Sequence, residues 1–161
     1  MSGVLQNGNV TPGHLASWTT DGVILDAGIT LNNTYALFSY SKQGINFNST
    51  NSDNTLLINL PAGYTKYRVE KIIISGATAS LSTATCSVWT QASGLGSAVV
   101  ASGSAITVTQ TLDDTNNNMQ SLTIANQNTM SLIETTLYFR VQTAQGSAAL
   151  GNVTILYEPL P

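Results

Sequence analysis

An antiparallel all-β domain, a β-sandwich or jelly roll of about eight to ten strands behind an extended N-terminal arm, is the fold class this sequence predicts. Three observations predict it. Short stretches rich in Val, Ile, Thr and Tyr alternate apolar with polar residues, most clearly at Thr136–Thr143. Gly-, Asn- and Ser-rich breaks separate these stretches at short intervals. No stretch carries an apolar stripe at helical spacing, and no unit of roughly 20–50 residues recurs, which argues against a propeller or solenoid. At 161 residues the chain has room for one domain with a core of its own and a short arm.

Residues 1–34 differ from the rest. Gly3, Gly8, Pro12, Gly13, Gly22 and Gly28 interrupt short apolar pieces such as Val23-Ile24-Leu25, with neither helical spacing nor sustained alternation. The segment is too apolar for a solvated linker, so it reads as an arm lying along a surface. Residues 35–161 read as the sandwich. Tyr35–Tyr40 is aromatic and β-prone and ends at Lys42-Gln43-Gly44, and a polar loop runs from Asn46 to Asn54. Thr55–Leu60 is stopped by Pro61-Ala62-Gly63, and Tyr67–Ser75 by Gly76. In Ser80–Thr90, Ala84, Cys86 and Val88 fall on one face while Thr85, Ser87 and Trp89 fall on the other. Ala92–Ser97 reads as a hairpin loop into Ala98–Ala101, Ser102-Gly103-Ser104 as a break, and Ile106–Gln110 as a further strand. Asp113–Asn118 is a polar turn before Gln120–Ala125. In Thr136–Thr143, Leu137, Phe139 and Val141 alternate with Tyr138, Arg140 and Gln142, and Leu150–Tyr157 closes the domain.

Charged residues make up 8% of the chain, against about 25% in ordinary domains. Ser, Thr, Asn and Gln supply the polarity instead, giving a weakly hydrated surface suited to being covered by other protein. The net charge is -3, and Lys42, Lys66, Arg68, Lys71 and Arg140 are the only basic side chains. So few cations argue against a nucleic-acid partner. Cys86 is the only cysteine, which excludes an intrachain disulfide. Met1–Gly8 has no basic or apolar run of signal-peptide type, and no later stretch is long enough for a membrane helix, so no membrane partner is expected.

Candidate chemistry is sparse. Catalysis needs a nucleophile and base in reach of each other, paired titratable groups, or a metal. His14 is the only histidine and sits in the Gly/Pro-bounded arm, and Cys86 falls on the apolar side of a strand, where a small buried hydrophobe is the usual role. One His and one Cys furnish no zinc cage. Asp114–Asn118 offers oxygens like the start of a calcium loop, but Met119 stands where that loop needs glycine and Ala125 where it needs an acid. The expectation is therefore no enzyme, no metal and no cofactor. Trp89, Tyr64 and Tyr67, beside many amides, are candidate platforms for a glycan or a neighbouring subunit.

The run Gly8-Asn9-Val10-Thr11-Pro12-Gly13-His14-Leu15-Ala16-Ser17-Trp18-Thr19-Thr20-Asp21-Gly22-Val23-Ile24-Leu25-Asp26-Ala27-Gly28 resembles a segment found near the N-termini of tailed-bacteriophage virion structural proteins. The C-terminal stretch from Thr136–Val141 through Ala148–Tyr157 looks like the last two strands of jelly-roll head-decoration (cement) proteins. Neither coiled-coil heptads nor a collagen-like shaft accompanies them, which favours a decoration protein over a fibre. The resemblance implies a virion protein made in the bacterial host cytoplasm and placed on the outer capsid surface. Its partners would be the major capsid protein and further copies of itself, as a homotrimer before a homodimer. Val10, His14, Leu15, Trp18, Val23, Ile24 and Leu25 would be the arm residues that anchor it. The competing expectation is a tail-fibre or head-fibre tip that binds host-surface glycans.

Overall fold

The computed structural model describes residues 37–109, 119–126 and 131–160 in full, together with the backbone of three strands before them. Those three are β1 (Leu5–Gln6), β2 (His14–Trp18) and β3 (Val23–Thr30), forming a sheet of order β1-β3-β2. β1 runs parallel to β3 and β2 antiparallel to it, with Trp18 opposite Ile24 and Ser17 opposite Leu25. The chain divides into two compact units, Met1–Ala36 and Leu37–Pro161. The stretch read from sequence as an arm therefore contains strands that pair with one another.

The second unit is an antiparallel β-sandwich built from β4 (Phe38–Asn46), β5 (Asp53–Leu57), β6 (Lys66–Ser75), β7 (Thr85–Gln91), β8 (Leu95–Ala105), β9 (Met119–Ser121), β10 (Thr136–Thr143) and β11 (Leu150–Leu160). One sheet has the order β4-β11-β6-β9 and the other β5-β10-β7-β8. Among the described residues the only helical piece is one 3-10 turn, Ala92–Gly94.

The order has a simple rule. The first strand of this unit pairs with the last (β4 with β11), the second with the next to last (β5 with β10), then β6 with β9 and β7 with β8. It is a long hairpin folded over and wound so that alternate pairs fall in opposite sheets, which is the winding of a jelly roll.

Period-two burial makes the two layers cohere. Leu137, Phe139 and Val141 of β10 are fully buried, as are Ile72 and Ile74 of β6 and Val153 and Ile155 of β11. Phe47 meets Phe139 edge-on with ring centroids 5.8 Å apart. Tyr157 is buried with its hydroxyl between the backbone N–H and C=O of Asn59, at 3.0 Å from each. Cys86 is buried, and burial pushes its thiol up to about 12, so it is held as the inert thiol.

Three strands run past the stops read from sequence. β4 continues through Gly44 to Asn46 because Gly44 takes a φ of 67°. Gln43 and Gly44 share the space opposite Asn152, whose Oδ1 accepts from the Gly44 N–H at 3.2 Å. This is a glycine bulge rather than a strand end. Likewise Ser102-Gly103-Ser104 does not break β8. Between the pairs Cys86↔Ser104 and Val88↔Val100, β8 inserts residues 101–103 against Ser87 alone. The Gln142 side-chain oxygen receives the Gly103 N–H at 2.6 Å and the Ser102 hydroxyl at 2.8 Å, which satisfies the bulge. β11 reaches Leu160 through Pro159, beyond the point where β4 pairing ends at Tyr157. Proline is tolerated where one side of a strand is unpaired. Ile106 and Val108, expected to form a separate strand, bury their side chains from a segment without ladder pairing.

Candidate functional site

The outer face of the β5-β10-β7-β8 sheet carries Trp89 among several polar side chains. Across it, Thr55, Tyr138, Trp89 and Ala98 stand in one row, and Asp53, Arg140 and Ser87 in the next.

The second row is closed by its own chain. Arg140 Nη1 meets Asp53 Oδ1 at 2.7 Å, and Nη2 donates to the Asn51 carbonyl at 2.9 Å. The Arg140 side chain is only 11% exposed. Asp53 Oδ2 accepts the Ser93 N–H at 2.8 Å, which draws the 92–94 turn back over the face. Trp89 donates its indole N–H to Ser87 Oγ at 2.8 Å and remains half-buried. A side chain at position 94 would meet Trp89 Nε1 at 3.7 Å and Arg140 Cδ at 3.9 Å, so the turn lies directly over both residues. Trp89 is thus partly roofed and its polar atom already used.

Tyr67 requires a correction. It was a candidate platform, but it is fully buried in β6, edge-on to Tyr157 at 5.7 Å, where no sugar or subunit reaches it. The register of β6 forces this, because Tyr67 falls on the same face as Val69 and opposes Pro159 of β11. Its hydroxyl is buried without a hydrogen-bond partner. Burial, then the charge of Glu134 and the nearby Tyr157, raise its pKa above the usual tyrosine range. Tyr64 is half-buried in the turn after Pro61, with its N–H on the Pro61 carbonyl at 3.1 Å. The structure does not bring Trp89, Tyr64 and Tyr67 together as a shared surface.

Of the arm residues, His14, Leu15 and Trp18 lie on β2 and Val23, Ile24 and Leu25 on β3. Val10 and the calcium-like turn Asp114–Asn118 lie outside the described residues.

A different set of groups converges where β7 and β10 part. Their paired register ends at Tyr138↔Trp89, although β7 continues to Gln91 and β10 begins at Thr136. The divergence leaves an open groove of about 330 Å³ lined by Thr90, Gln91, Ala92, Glu134, Thr135, Thr136 and Tyr138. Exposed Leu57 stands beside it, opposite Thr136 on β5, and exposed Leu95 stands opposite Gln91 on β8. Sequence reasoning passed over this cluster. The alternation of β10 did place Tyr138 outward, but nothing local tied it to Glu134 or Gln91.

Among the described residues, no three His, Cys, Asp or Glu side chains gather as a metal-binding group. The fold and surface define a jelly-roll domain with a roofed polar row and an open groove on one sheet face. Comparisons with protein-family models, curated proteins and solved structures find no match to this chain.

Proposed function

We propose that the chain is a bacteriophage decoration (cement) protein that binds the outer surface of an assembled head and stabilises it, acting as a homotrimer. One observation carries the reading. The segment that resembles virion proteins lies within a compact unit of its own, Met1–Ala36, while the remainder is a jelly roll. Jelly rolls recur in viral capsid and lectin domains. The N-terminal unit would be the part that grips the major capsid protein, through Val10, His14, Leu15, Trp18, Val23, Ile24 and Leu25. A surface with so little charge is cheap to desolvate at such contacts. A protein that binds only the assembled shell stabilises it by mass action, and a lasting contact buries roughly 1,000 Å² or more.

The test is co-sedimentation with purified heads. The full chain binds saturably and raises the temperature at which the heads release DNA, whereas a chain lacking residues 1–36 stays folded and remains in the supernatant. Undiminished binding by the shortened chain overturns the mechanism. Heads that never bind the full chain overturn the function.

A further inference from the structure

We propose that the groove between the diverging ends of β7 and β10 is a binding site for a short, neutral carbohydrate. This goes beyond the capsid reading and does not depend on it.

Four features point to a sugar. The groove is open and shallow, and its size of about 330 Å³ is near the lower end of ligand pockets. That suits one or two pyranose rings better than a protein side-chain anchor, which needs a deeper, fully desolvated pocket. Its walls mix the two surfaces a pyranose presents. The half-exposed ring of Tyr138 offers an apolar platform for the C–H face, and Glu134, Gln91 and Thr136 offer acceptors and donors for hydroxyls.

The charge is also informative. Glu134 is the only ionisable carboxylate lining the groove, and no basic side chain lines it, so an acidic sugar would be repelled and a neutral one accepted. Finally, the groove is held in shape from behind. Ile58 donates its N–H to the Thr135 carbonyl at 2.9 Å, and Tyr67 and Leu132 exchange both backbone hydrogen bonds at 2.9 Å just before Glu134. On the other wall, Thr90 Oγ1 receives the Ser97 N–H at 2.9 Å. A cleft fixed by its backbone loses little entropy on binding, which is how weak, shallow sites reach useful affinity.

The experiment is a titration of the isotopically labelled full chain with methyl glucoside, methyl galactoside and methyl N-acetylglucosaminide, followed by amide chemical shifts. The expected result is saturable movement of Gln91, Ala92, Thr136 and Tyr138 with at least one of them, with a dissociation constant in the millimolar range. Tyr138→Ala then weakens binding tenfold or more and Glu134→Gln severalfold, while amides elsewhere keep their positions and so report an intact fold. Sialic acid should move nothing. No shifts with any neutral glycoside, shifts at another place, equal binding by both variants, or equal binding of sialic acid would each overturn the proposal.

Discussion

Two neighbouring parts of one sheet face have opposite characters. Around Arg140 the face is locked, because an ion pair, a backbone carbonyl and a returning turn use the polar atoms of Asp53 and Arg140 and cover Trp89. One row further on, past Tyr138, the ladder between β7 and β10 ends and the side chains of Gln91, Thr136 and Leu57 are left to solvent or to a ligand. The difference teaches where this domain stores order and where it has surface to spend on recognition. A guanidinium as covered as that of Arg140 has to be partnered, so the Arg140 row is built for stability. The groove carries no such constraint.

The largest effect should come from breaking the lock. Arg140→Ala takes the donor from the Asp53 carboxylate and the Asn51 carbonyl, both on exposed residues, and should cost about 2 kcal/mol in urea unfolding. A loss below about 1 kcal/mol would show the pair behaving as an ordinary surface bridge.

Next comes the turn that roofs it. Gly96, in β8 just after that turn, has a φ of 74°, and a side chain there would collide with Thr90 Oγ1. Gly96→Ala should cost about 2 kcal/mol, by the left-handed backbone penalty plus the displaced Thr90. It should also increase solvent quenching of Trp89 fluorescence, read in a Trp18→Phe background. Unchanged quenching would mean that the turn keeps its place.

A gain is expected beneath the groove. Tyr67→Phe removes a buried hydroxyl that has no partner and should stabilise the domain by about 1 kcal/mol at neutral pH. A loss of that size would reveal a bound water completing the site. The same residue and Cys86 give the alkaline behaviour. Both have folded pKa values raised above their unfolded ones, so both remain protonated in the native state while the unfolded chain releases protons. Their contribution is whole below the unfolded values near 9–10 and is lost as pH rises toward the folded ones. Stability should therefore fall from about pH 9 upward, on the order of 1 kcal/mol per pH unit for each group, and Tyr67→Phe should flatten part of that fall.

The smallest effects belong to the open half. Glu134→Gln and Thr136→Ala should shift stability by less than about 0.5 kcal/mol, since both side chains are partly exposed and Glu134 holds only the neighbouring Ile133 N–H. A larger loss at either would extend the locked region past Tyr138 and undo the contrast.

Local pattern made much of this legible. The alternation in Thr136–Thr143 marks β10 to the residue, and the pairing of Cys86 with Val88 on the apolar side of β7 is as the sequence implies. Glycines were the weaker guide. Gly44 and Gly103 look like stops, yet each sits in a bulge whose partner, Asn152 or Gln142, lies far along the chain. Tyr67 looked like an exposed platform because an aromatic at a strand start carries no local mark of which face it takes.

By itself, then, the sequence determined the all-β class, the inward sets of β7 and β10, the scarcity of charge and the lone thiol on an apolar strand face. These follow from side-chain periodicity and composition, which are local or additive properties. The tertiary structure alone decided the nested pairing of first strand with last, the burial of Tyr67, the Asp53–Arg140 lock across 87 positions and the parting of β7 from β10. Each of these depends on the register between distant segments, and a shift of one residue would turn every side chain to the opposite face.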